Sequence, residues 1–223
     1  MKSVPAAHAE TQVLITGASG GIGEAAARLL ESRGFGVIKV DHDDADLSKY
    51  IDIERLVARI VQQHGSLDWV VYSHGYIDTE TDFAQQKPEN IETTVNVNTL
   101  SILHLTRLLL PHVRNGIVFV SSSTAIYPNG RYAVYSASKA AVNAFTQALA
   151  RNRPERSFIA VCPGRTNTAM RAKIAGDAAE SQSPAIVAEV IANIVRGSSP
   201  YKNGDVVLVK DGVDSLHHGL LDS

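Results

Sequence analysis

The sequence predicts a single α/β domain built around a doubly wound parallel sheet. Short apolar runs alternate along the chain with longer segments whose apolar residues recur at helical spacing. Several of these runs, such as WVVY and IVFV, are apolar at every position, which is typical of parallel strands covered by helices on both faces. The length of 223 residues suits one core and leaves no room for a separate substrate domain.

The elements follow one another as strand, turn and helix. We predict strands at residues 13–15, 37–40, 67–72, 117–121, 158–162 and 206–209, and helices at residues 24–33, 51–64, 95–113, 136–151 and 184–196. Ser183 followed by Pro184 is typical of a helix N-cap and a first helical residue. Only residues 41–50 separate the second strand from the second helix, so at most a stub strand at 45–47 fits there.

Three stretches lack this patterning. Residues 1–10 should form a loose leader, because they contain no apolar core of signal-peptide length. Residues 165–183 are polar and should form a small loop over the substrate site. The tail after Gly212 should be exposed or should contact a second subunit.

Composition and charge argue against several classes of partner. A net charge of −2 and a pI near 6.4 provide no positive field for nucleic acid or for an anionic membrane surface. No run approaches the roughly 18 apolar residues of a membrane span. Cys162 is the only cysteine, which excludes an intrachain disulfide and a cysteine-based zinc site. We therefore expect a cytoplasmic protein without a metal site.

A glycine-rich loop, TGASGGIG at residues 16–23, lies between the first predicted strand and helix. Gly17 permits the turn, Gly21 lets a pyrophosphate approach the backbone, and Gly23 lets the helix pack on the strand. The helix N-terminus then offers N–H groups to the phosphates. An isolated glycine cluster is as often a plain turn, but the flanking elements favour dinucleotide binding. A nucleoside triphosphate loop requires Gly-Lys-Ser/Thr, whereas this loop ends in Gly-Glu.

An acidic residue at the end of the second strand favours NAD over NADP. Asp41 lies where a carboxylate can accept hydrogen bonds from the adenosine ribose hydroxyls, and it would repel a 2′-phosphate. Asp46 adds negative potential and belongs to the same hypothesis. For Asp43 and Asp44 a solvated turn is the better interpretation.

Tyr135 and Lys139 are four residues apart in YSASK, at the start of a predicted helix, so they share one helix face. A tyrosine has an ordinary pKa of about 10, so acid–base work near neutrality needs positive charge beside the phenolate. Lys139 would supply such charge. This spacing alone is weak evidence, because most such pairs merely decorate a helix.

Taken in order, five motifs resemble the short-chain dehydrogenase/reductase family over residues 13–212: TGASGGIG, Asn98 in NVNTL, Ser122 in VSSS, YSASK and PGRTNT. The resemblance implies a Rossmann fold and a catalytic set of Ser122, Tyr135, Lys139 and Asn98. In that set Ser122 hydrogen-bonds the substrate oxygen, Tyr135 exchanges its proton, Lys139 binds the nicotinamide ribose, and Asn98 holds a water. It also implies cofactor contacts from Gly17, Ser19, Gly21, Ile22, Gly23, Asp41, Asp46, Leu47, Ser73, Gly75, Tyr135, Lys139, Pro163, Gly164 and Thr168.

The sequence departs from the family pattern in two places. The Asn-Ala-Gly that follows the fourth strand of the family is Ser73-His74-Gly75 here, and the third helix and strand are shortened or missing. Gly75 still allows close approach to the cofactor. His74 either contacts substrate or simply fills its position, and the second interpretation is favoured. The missing segment weakens the expected adenine contact of Asp46.

These observations predict an oxidoreductase that transfers a hydride between NAD(H) and a small alcohol or carbonyl compound. The alternatives are a non-catalytic NAD(H)-binding regulatory protein and a nicotinamide-assisted epimerase or dehydratase. Apolar positions on two helices, Ile102, Leu105, Leu109, Val113, Ala140, Ala144 and Ala148, suggest a homodimer or homotetramer. By position in the resembling fold, the substrate pocket should be lined by Ser122, Thr124, Ile126, Tyr127, Tyr132, Tyr135 and residues 170–174.

Overall fold

One sheet of seven strands runs through residues 11–175 and 181–218, the part of the chain that the computed structural model describes. The strands are β1 (Gln12–Thr16), β2 (Gly36–Val40), β3 (Leu67–Tyr72), β4 (Val113–Val120), β5 (Ser157–Pro163), β6 (Val206–Lys210) and β7 (Val213–His218). Their order is β2-β1-β3-β4-β5-β6-β7, and every neighbouring pair is parallel except β6 and β7. The expected leader at residues 1–10 lies outside the described residues.

Helices cover both faces of this sheet, which confirms the doubly wound prediction. They are α1 (Gly21–Ser32), α2 (Tyr50–His64), α3 (Pro88–Val95), α4 (Ser101–Leu109), α5 (Ala133–Asn152), α6 (Ala169–Ala175) and α7 (Pro184–Val195). Successive strand residues point to opposite faces, so Val13 and Ile15 pack with α1 and α7, and Leu14 packs with α2, α4 and α5. None of the helices in the described residues is long and apolar enough to cross a membrane.

The helix predicted at residues 95–113 is longer and more irregular than expected. It begins at Pro88, passes through a π-helical turn at Asn96–Leu100, and ends in a 3₁₀ turn at Leu110–His112. The start was missed because PENIETTV is mostly polar and has little apolar periodicity. The π turn is one residue wider than an α turn, and such turns frequently occur at functional sites.

The stub strand expected at residues 45–47 is wrong. Residues 41–49 form consecutive turns, closed by hydrogen bonds from Asp44 N to Asp41 O and from Lys49 N to Asp46 O. Ala45 and Leu47 pack partly against the core instead. Among the described residues β2 is therefore the edge strand, and the chain passes from it directly to α2, as the predicted loss of a helix and strand requires.

Two segments near the C-terminal end contain structure that was not predicted. The segment after Gly212 was expected to be exposed or to contact a second subunit; residues 213–216 are exposed, but they also belong to β7, which pairs with β6 through an Asp211-Gly212 turn with positive φ at both residues. An Asp-Gly pair between strands is a strong hairpin signal. The loop expected at residues 165–183 contains helix α6, and residues 176–180 lie outside the described residues.

The apolar residues expected at a subunit interface are used within the chain. Ile102, Leu105 and Leu109 are fully buried between α4 and the sheet, and Val113 is buried as the first residue of β4. Of the three α5 alanines expected at the interface, Ala144 and Ala148 are exposed and Ala140 is half-buried. The sequence argument for an interface therefore holds only for α5.

Candidate functional site

A cavity of about 360 Å³ opens at the carboxyl ends of β1, β3, β4 and β5. In parallel α/β sheets this edge is where ligands bind, because loops from several strands meet there. Its walls come from the glycine loop, the Ser73–Gly75 turn, the segment after β4, the start of α5, and α6. The lining residues are Gly20, Gly21, Ile22, Ser73, His74, Gly75, Ile77, Val120, Ser121, Ser122, Ser123, Thr124, Tyr127, Asn129, Tyr132, Tyr135, Lys139, Pro163, Gly164, Arg165, Thr166, Thr168, Ala169, Met170, Arg171 and Ile174.

Three glycines of the loop occupy places where a side chain would collide with its surroundings. Gly17 has φ +68, and a Cβ there would lie 2.8 Å from the Cα of His74. A Cβ on Gly23 would lie 2.1 Å from the carbonyl oxygen of Gly17. A Cβ on Gly21 would lie 2.8 Å from Thr168 Cγ2, across the cavity wall. The backbone at these positions therefore forms a closely packed glycine cradle that leaves no room for side chains.

Helix α1 begins at Gly21 inside this cradle, and the residue before it, Gly20, has no side chain to cap the first turn. The first N–H groups of a helix have no partners within the helix, and together they carry partial positive charge. These donors are therefore available to an anion. Ile22, from the same turn, lines the cavity and packs against the core.

Asp41 is tied to the glycine loop. The backbone N–H and the hydroxyl of Ser19 both donate to its Oδ1, at 2.9 and 2.8 Å. The Asp41 N–H in turn donates to the Asp44 carboxylate at 2.9 Å. Ser19 and Asp41 thus act together, and Asp44, expected to be only a solvated turn residue, orients the backbone of Asp41.

Asp46 and Leu47 are engaged locally. One oxygen of Asp46 accepts hydrogen bonds from the N–H and hydroxyl of Ser48, and the other lies 3.0 Å from Lys49 Nζ. The hydrogen bonds from Ser48, followed by Lys49, lower the pKa of Asp46. Leu47 packs partly against the core. Neither residue lines the cavity, so their cofactor contacts stay predictions.

Ser122, Tyr135 and Lys139 meet on one wall of the cavity. Ser122 follows β4; its hydroxyl lies 3.0 Å from Thr124 Oγ1 and is close enough to the Tyr135 phenol to lower the pKa of that phenol. Lys139 is one turn after Tyr135 on α5, and its Nζ lies 5.9 Å from the centre of the tyrosine ring. The Lys139 ammonium donates to the carbonyl oxygen of Val120 at 3.0 Å. The four-residue spacing therefore brings Tyr135 and Lys139 to the same wall of the cavity.

Enclosure shifts the pKa of both groups. Burial raises the pKa of Tyr135 to about 12, against the hydrogen bond from Ser122, which lowers it. Burial lowers the pKa of Lys139 to about 8. Both shifts follow from the cost of holding a charge away from water. At neutral pH the tyrosine holds its proton, and the lysine is close to the point at which it loses one.

Asn98 lies in the π-helical turn and is fully buried. Its Oδ1 accepts from Tyr76 N–H at 2.7 Å, and its Nδ2 donates to Tyr76 O at 2.8 Å and to Ser138 Oγ at 3.0 Å. Ser138 donates onward to the Tyr135 carbonyl at 2.7 Å. Sequence analysis missed Ser138, although it lies inside YSASK. Asn98 therefore links the turn after β3 to the helix that carries Tyr135.

His74 is a buried structural histidine, as the favoured interpretation held. Ser101 donates its only hydroxyl hydrogen to Val97 O at 2.6 Å, so it accepts from His74 Nε2 at 2.8 Å. The other ring nitrogen, Nδ1, then accepts from the Thr16 hydroxyl at 2.6 Å. Burial, followed by the charge of Lys139, lowers the pKa of His74 to about 3, so the ring is neutral.

Gly75 lies beside the lysine. A Cβ there would approach Asn98 Oδ1 to 3.3 Å, Lys139 Nζ to 3.4 Å and Met170 Cε to 3.7 Å. Ser73, two residues earlier, lines the cavity, and its N–H donates to Thr16 O. A side chain at Gly75 would therefore narrow the cavity beside Lys139.

The opposite wall comes from β5 and α6. Pro163 ends β5, and Gly164 N–H donates to Val209 O at 2.8 Å. Thr168 accepts from the Arg171 N–H at 3.1 Å and so begins α6 against Gly21. Of the pocket residues expected from sequence, Ile126 is wrong: it packs instead against Ala160, Cys162 and Val206. Met170, Arg171 and Ile174, from the segment expected at residues 170–174, do line the cavity, whereas Ile77 and Asn129 line it but were not predicted.

Comparison with known proteins identifies a family and relatives that this chain resembles. Residues 40–179 match the family model described as short chain dehydrogenase. A 3-oxoacyl-[acyl-carrier-protein] reductase of Thermotoga maritima is 30% identical, over 90% of this chain and 96% of its own.

Two solved structures are also similar. A 3-ketoacyl-(acyl-carrier-protein) reductase from Brucella melitensis complexed with NADH has a TM-score of 0.83 and 25% identity, covering 91% of this chain and 97% of its own. A Shigella flexneri protein complexed with NADP has a TM-score of 0.80 and 26% identity, covering 90% and 96%.

Proposed function

The chain belongs to the short-chain dehydrogenase/reductase family, and on that premise we propose that it transfers a hydride between NAD(H) and an alcohol or carbonyl compound. The observation that carries the proposal is the meeting of Ser122, Tyr135 and Lys139 on one cavity wall, opposite the glycine cradle. A phenol, a hydroxyl and an ammonium beside a dinucleotide cradle suit proton exchange at an oxygen.

A bound nicotinamide dinucleotide supplies or accepts the hydride. The chain's own residues manage the substrate oxygen. During carbonyl reduction this oxygen gains negative charge, which Ser122 stabilises by a hydrogen bond while Tyr135 donates its proton. A Tyr135 pKa of about 12 keeps that proton in place at neutral pH until the oxygen becomes more basic. Lys139, with a pKa of about 8 and its Nζ 5.9 Å from the centre of the Tyr135 ring, is the group that can replace this proton.

The proposed cofactor contacts are those that line the cradle. Gly17, Gly21 and Gly23 admit the pyrophosphate to the N-terminus of α1. Ser73, Gly75, Pro163, Gly164 and Thr168 border the nicotinamide side. The absence of a side chain at Gly75 would let the nicotinamide ring lie next to Lys139 and Tyr135.

We propose NAD as the preferred cofactor because Asp41 presents a carboxylate at the end of β2, fixed by Ser19. A 2′-phosphate would be repelled there, while ribose hydroxyls can donate to the free oxygen lone pairs. The relatives show that the family includes both kinds: one structure holds NADH and another NADP.

Replacing Asp41 tests this preference. Asp41→Ser removes the negative charge, so we expect the ratio of kcat/KM with NADH to kcat/KM with NADPH to fall about tenfold or more, as is typical for loss of a hydrogen bond to a charged group. Asp43→Ser is the matched control, because the Asp43 side chain is exposed and contacts only His42. An unchanged ratio in Asp41→Ser would contradict the assignment.

Replacing the proton donor tests the reaction. Purified protein is assayed for NADH oxidation with a panel of ketones and aldehydes, and for NAD reduction with the matching alcohols. Tyr135→Phe should lower kcat about 10²- to 10⁴-fold, the usual range for a general acid, with NADH affinity unchanged. Tyr50→Phe, outside the cavity, should retain activity.

The same assay separates the alternatives. NADH binding without turnover of any compound would favour the non-catalytic regulatory protein, and turnover without net change in NADH would favour an epimerase or dehydratase. Absence of binding by either nucleotide would contradict the assignment of the glycine cradle.

We also propose a homodimer or homotetramer that uses the exposed face of α5, where Ala144 and Ala148 lie. Small side chains let two helices approach closely. Light scattering coupled to size exclusion would measure the mass, and a monomer at micromolar concentration would contradict the proposal. A cytoplasmic location also stays a prediction.

A further inference from the structure

Cationic side chains contribute to the lining of the cavity. Its lining includes three cationic residues, Lys139, Arg165 and Arg171, and no aspartate or glutamate among the described residues. Lys139 belongs to the catalytic set. Arg171 is different, because it lies on α6, the helix that borders the mouth of the cavity.

Arg171 has an unmet hydrogen-bond donor. Its Nε is enclosed by the protein and has no hydrogen-bond partner among the described residues. A guanidinium is always charged, so it cannot relieve this by losing a proton. By contrast, Arg59 and Arg114 each lie within ion-pair distance of a carboxylate, and Arg33, which also has one enclosed donor without a partner, forms an ion pair with Glu189. An enclosed, unpaired N–H on a fixed cation beside a ligand cavity is suited to binding an anion.

The surroundings of Arg171 belong to the substrate side. On the same helix, Met170 Cε lies near the point where Gly75 approaches Lys139. Ile174, three residues further on, accepts a hydrogen bond from the Tyr132 hydroxyl at 3.3 Å, through its carbonyl. The pyrophosphate, in contrast, has the helix N-terminus and glycine N–H groups available to it. Arg171 is therefore available to bind the substrate that reacts with Tyr135.

We propose that the substrate is a small carbonyl compound or alcohol that carries a carboxylate or similar anionic group, bound by the Arg171 guanidinium. This inference rests on the proposed hydride transfer. A planar guanidinium can hold both oxygens of such a group, which would orient the carbonyl carbon relative to Tyr135. The cavity of about 360 Å³ must hold the nicotinamide as well, so a small substrate is favoured.

A binding experiment tests the inference without requiring turnover. The protein saturated with NADH is titrated by calorimetry with short carboxylates and with the matching primary amides. We expect each carboxylate to bind at least tenfold more tightly than its amide, a typical effect of a charge-assisted pair. Arg171→Gln should remove the difference, and Arg171→Lys should keep part of it. Lys173→Gln, which removes an exposed charge from the same helix outside the cavity, should bind as the wild type does.

A turnover experiment uses matched pairs of keto acids and their methyl esters with NADH. The wild type should favour the acid in kcat/KM by about tenfold or more, and Arg171→Gln should abolish that preference mainly through KM. Equal binding of carboxylate and amide, or a preference that survives in Arg171→Gln, would overturn the inference. So would a variant that loses NADH affinity, since Arg171 would then bind the cofactor. Failure of all carbonyl compounds to react, with carboxylate binding intact, would instead refute the proposed reaction.

Discussion

His74 makes the folded chain sensitive to acid, and the size of the effect follows from its burial. The buried ring has a pKa of about 3 against an ordinary value of 6.5. Between those values the unfolded chain binds a proton that the folded chain does not, so the free energy of unfolding falls as the pH falls below 6.5. Linkage gives a loss of about 1 kcal/mol at pH 5.5 and about 3 kcal/mol at pH 4.5.

These losses are large beside a typical domain stability of about 5–15 kcal/mol. His74→Gln keeps an amide donor and an oxygen acceptor for Ser101 and Thr16 but does not titrate. Urea unfolding at fixed protein concentration is measured from pH 7.5 to pH 4.5. The wild type should lose about 3 kcal/mol more than the variant over that range.

His42→Gln is the matched control, because the His42 ring is exposed and contacts only the neighbouring Asp43. It should retain the pH dependence of the wild type. If His74→Gln and the wild type lose the same stability as the pH falls, the assignment of a neutral His74 ring hydrogen-bonded to Ser101 is wrong. A wild type whose stability rises as the pH falls would refute the same reasoning.

Two further predictions concern the cavity walls. Gly21→Ala should weaken NADH binding about tenfold or more, because the added Cβ would lie 2.8 Å from Thr168 Cγ2. Gly130→Ala is the control, because a Cβ added there would meet no described heavy atom within 4 Å. Fluorescence titration measures the affinity, and unchanged binding would contradict the tight cradle. Ser138→Ala should lower kcat several-fold by removing the bond between the buried asparagine amide and α5, whereas Thr146→Ala, on the same helix, should not. Equal kcat values for these two variants would refute a positioning role for the serine.

Much of the fold was predictable because its signals are local. Runs such as WVVY contain the information that a strand is buried on both faces, and residues 67–72 were predicted with the observed bounds. The turn and strand at residues 211–218 were also signalled locally, by Asp211-Gly212, and were missed. The start of α3 had a weaker signal, since its sequence is mostly polar.

The catalytic wall was partly predictable for the same reason. Tyr135 and Lys139 lie on one helix, so their spacing fixes their proximity wherever the helix packs. Their pairing with Ser122 needed the family resemblance, because it joins the end of β4 to α5. The pKa shifts of Tyr135 and Lys139 could not be predicted from the sequence, because burial depends on every neighbouring element.

By itself the sequence determined the α/β class, the glycine loop and the order of the reactive residues, because these depend on periodicity and spacing within short segments. Only the tertiary structure decided that Thr16, His74 and Ser101 form one hydrogen-bond chain from three separate elements. It also decided that Arg171 borders the cavity with an unmet donor. Such contacts depend on how distant segments pack, and packing is a property of the whole chain rather than of any one segment.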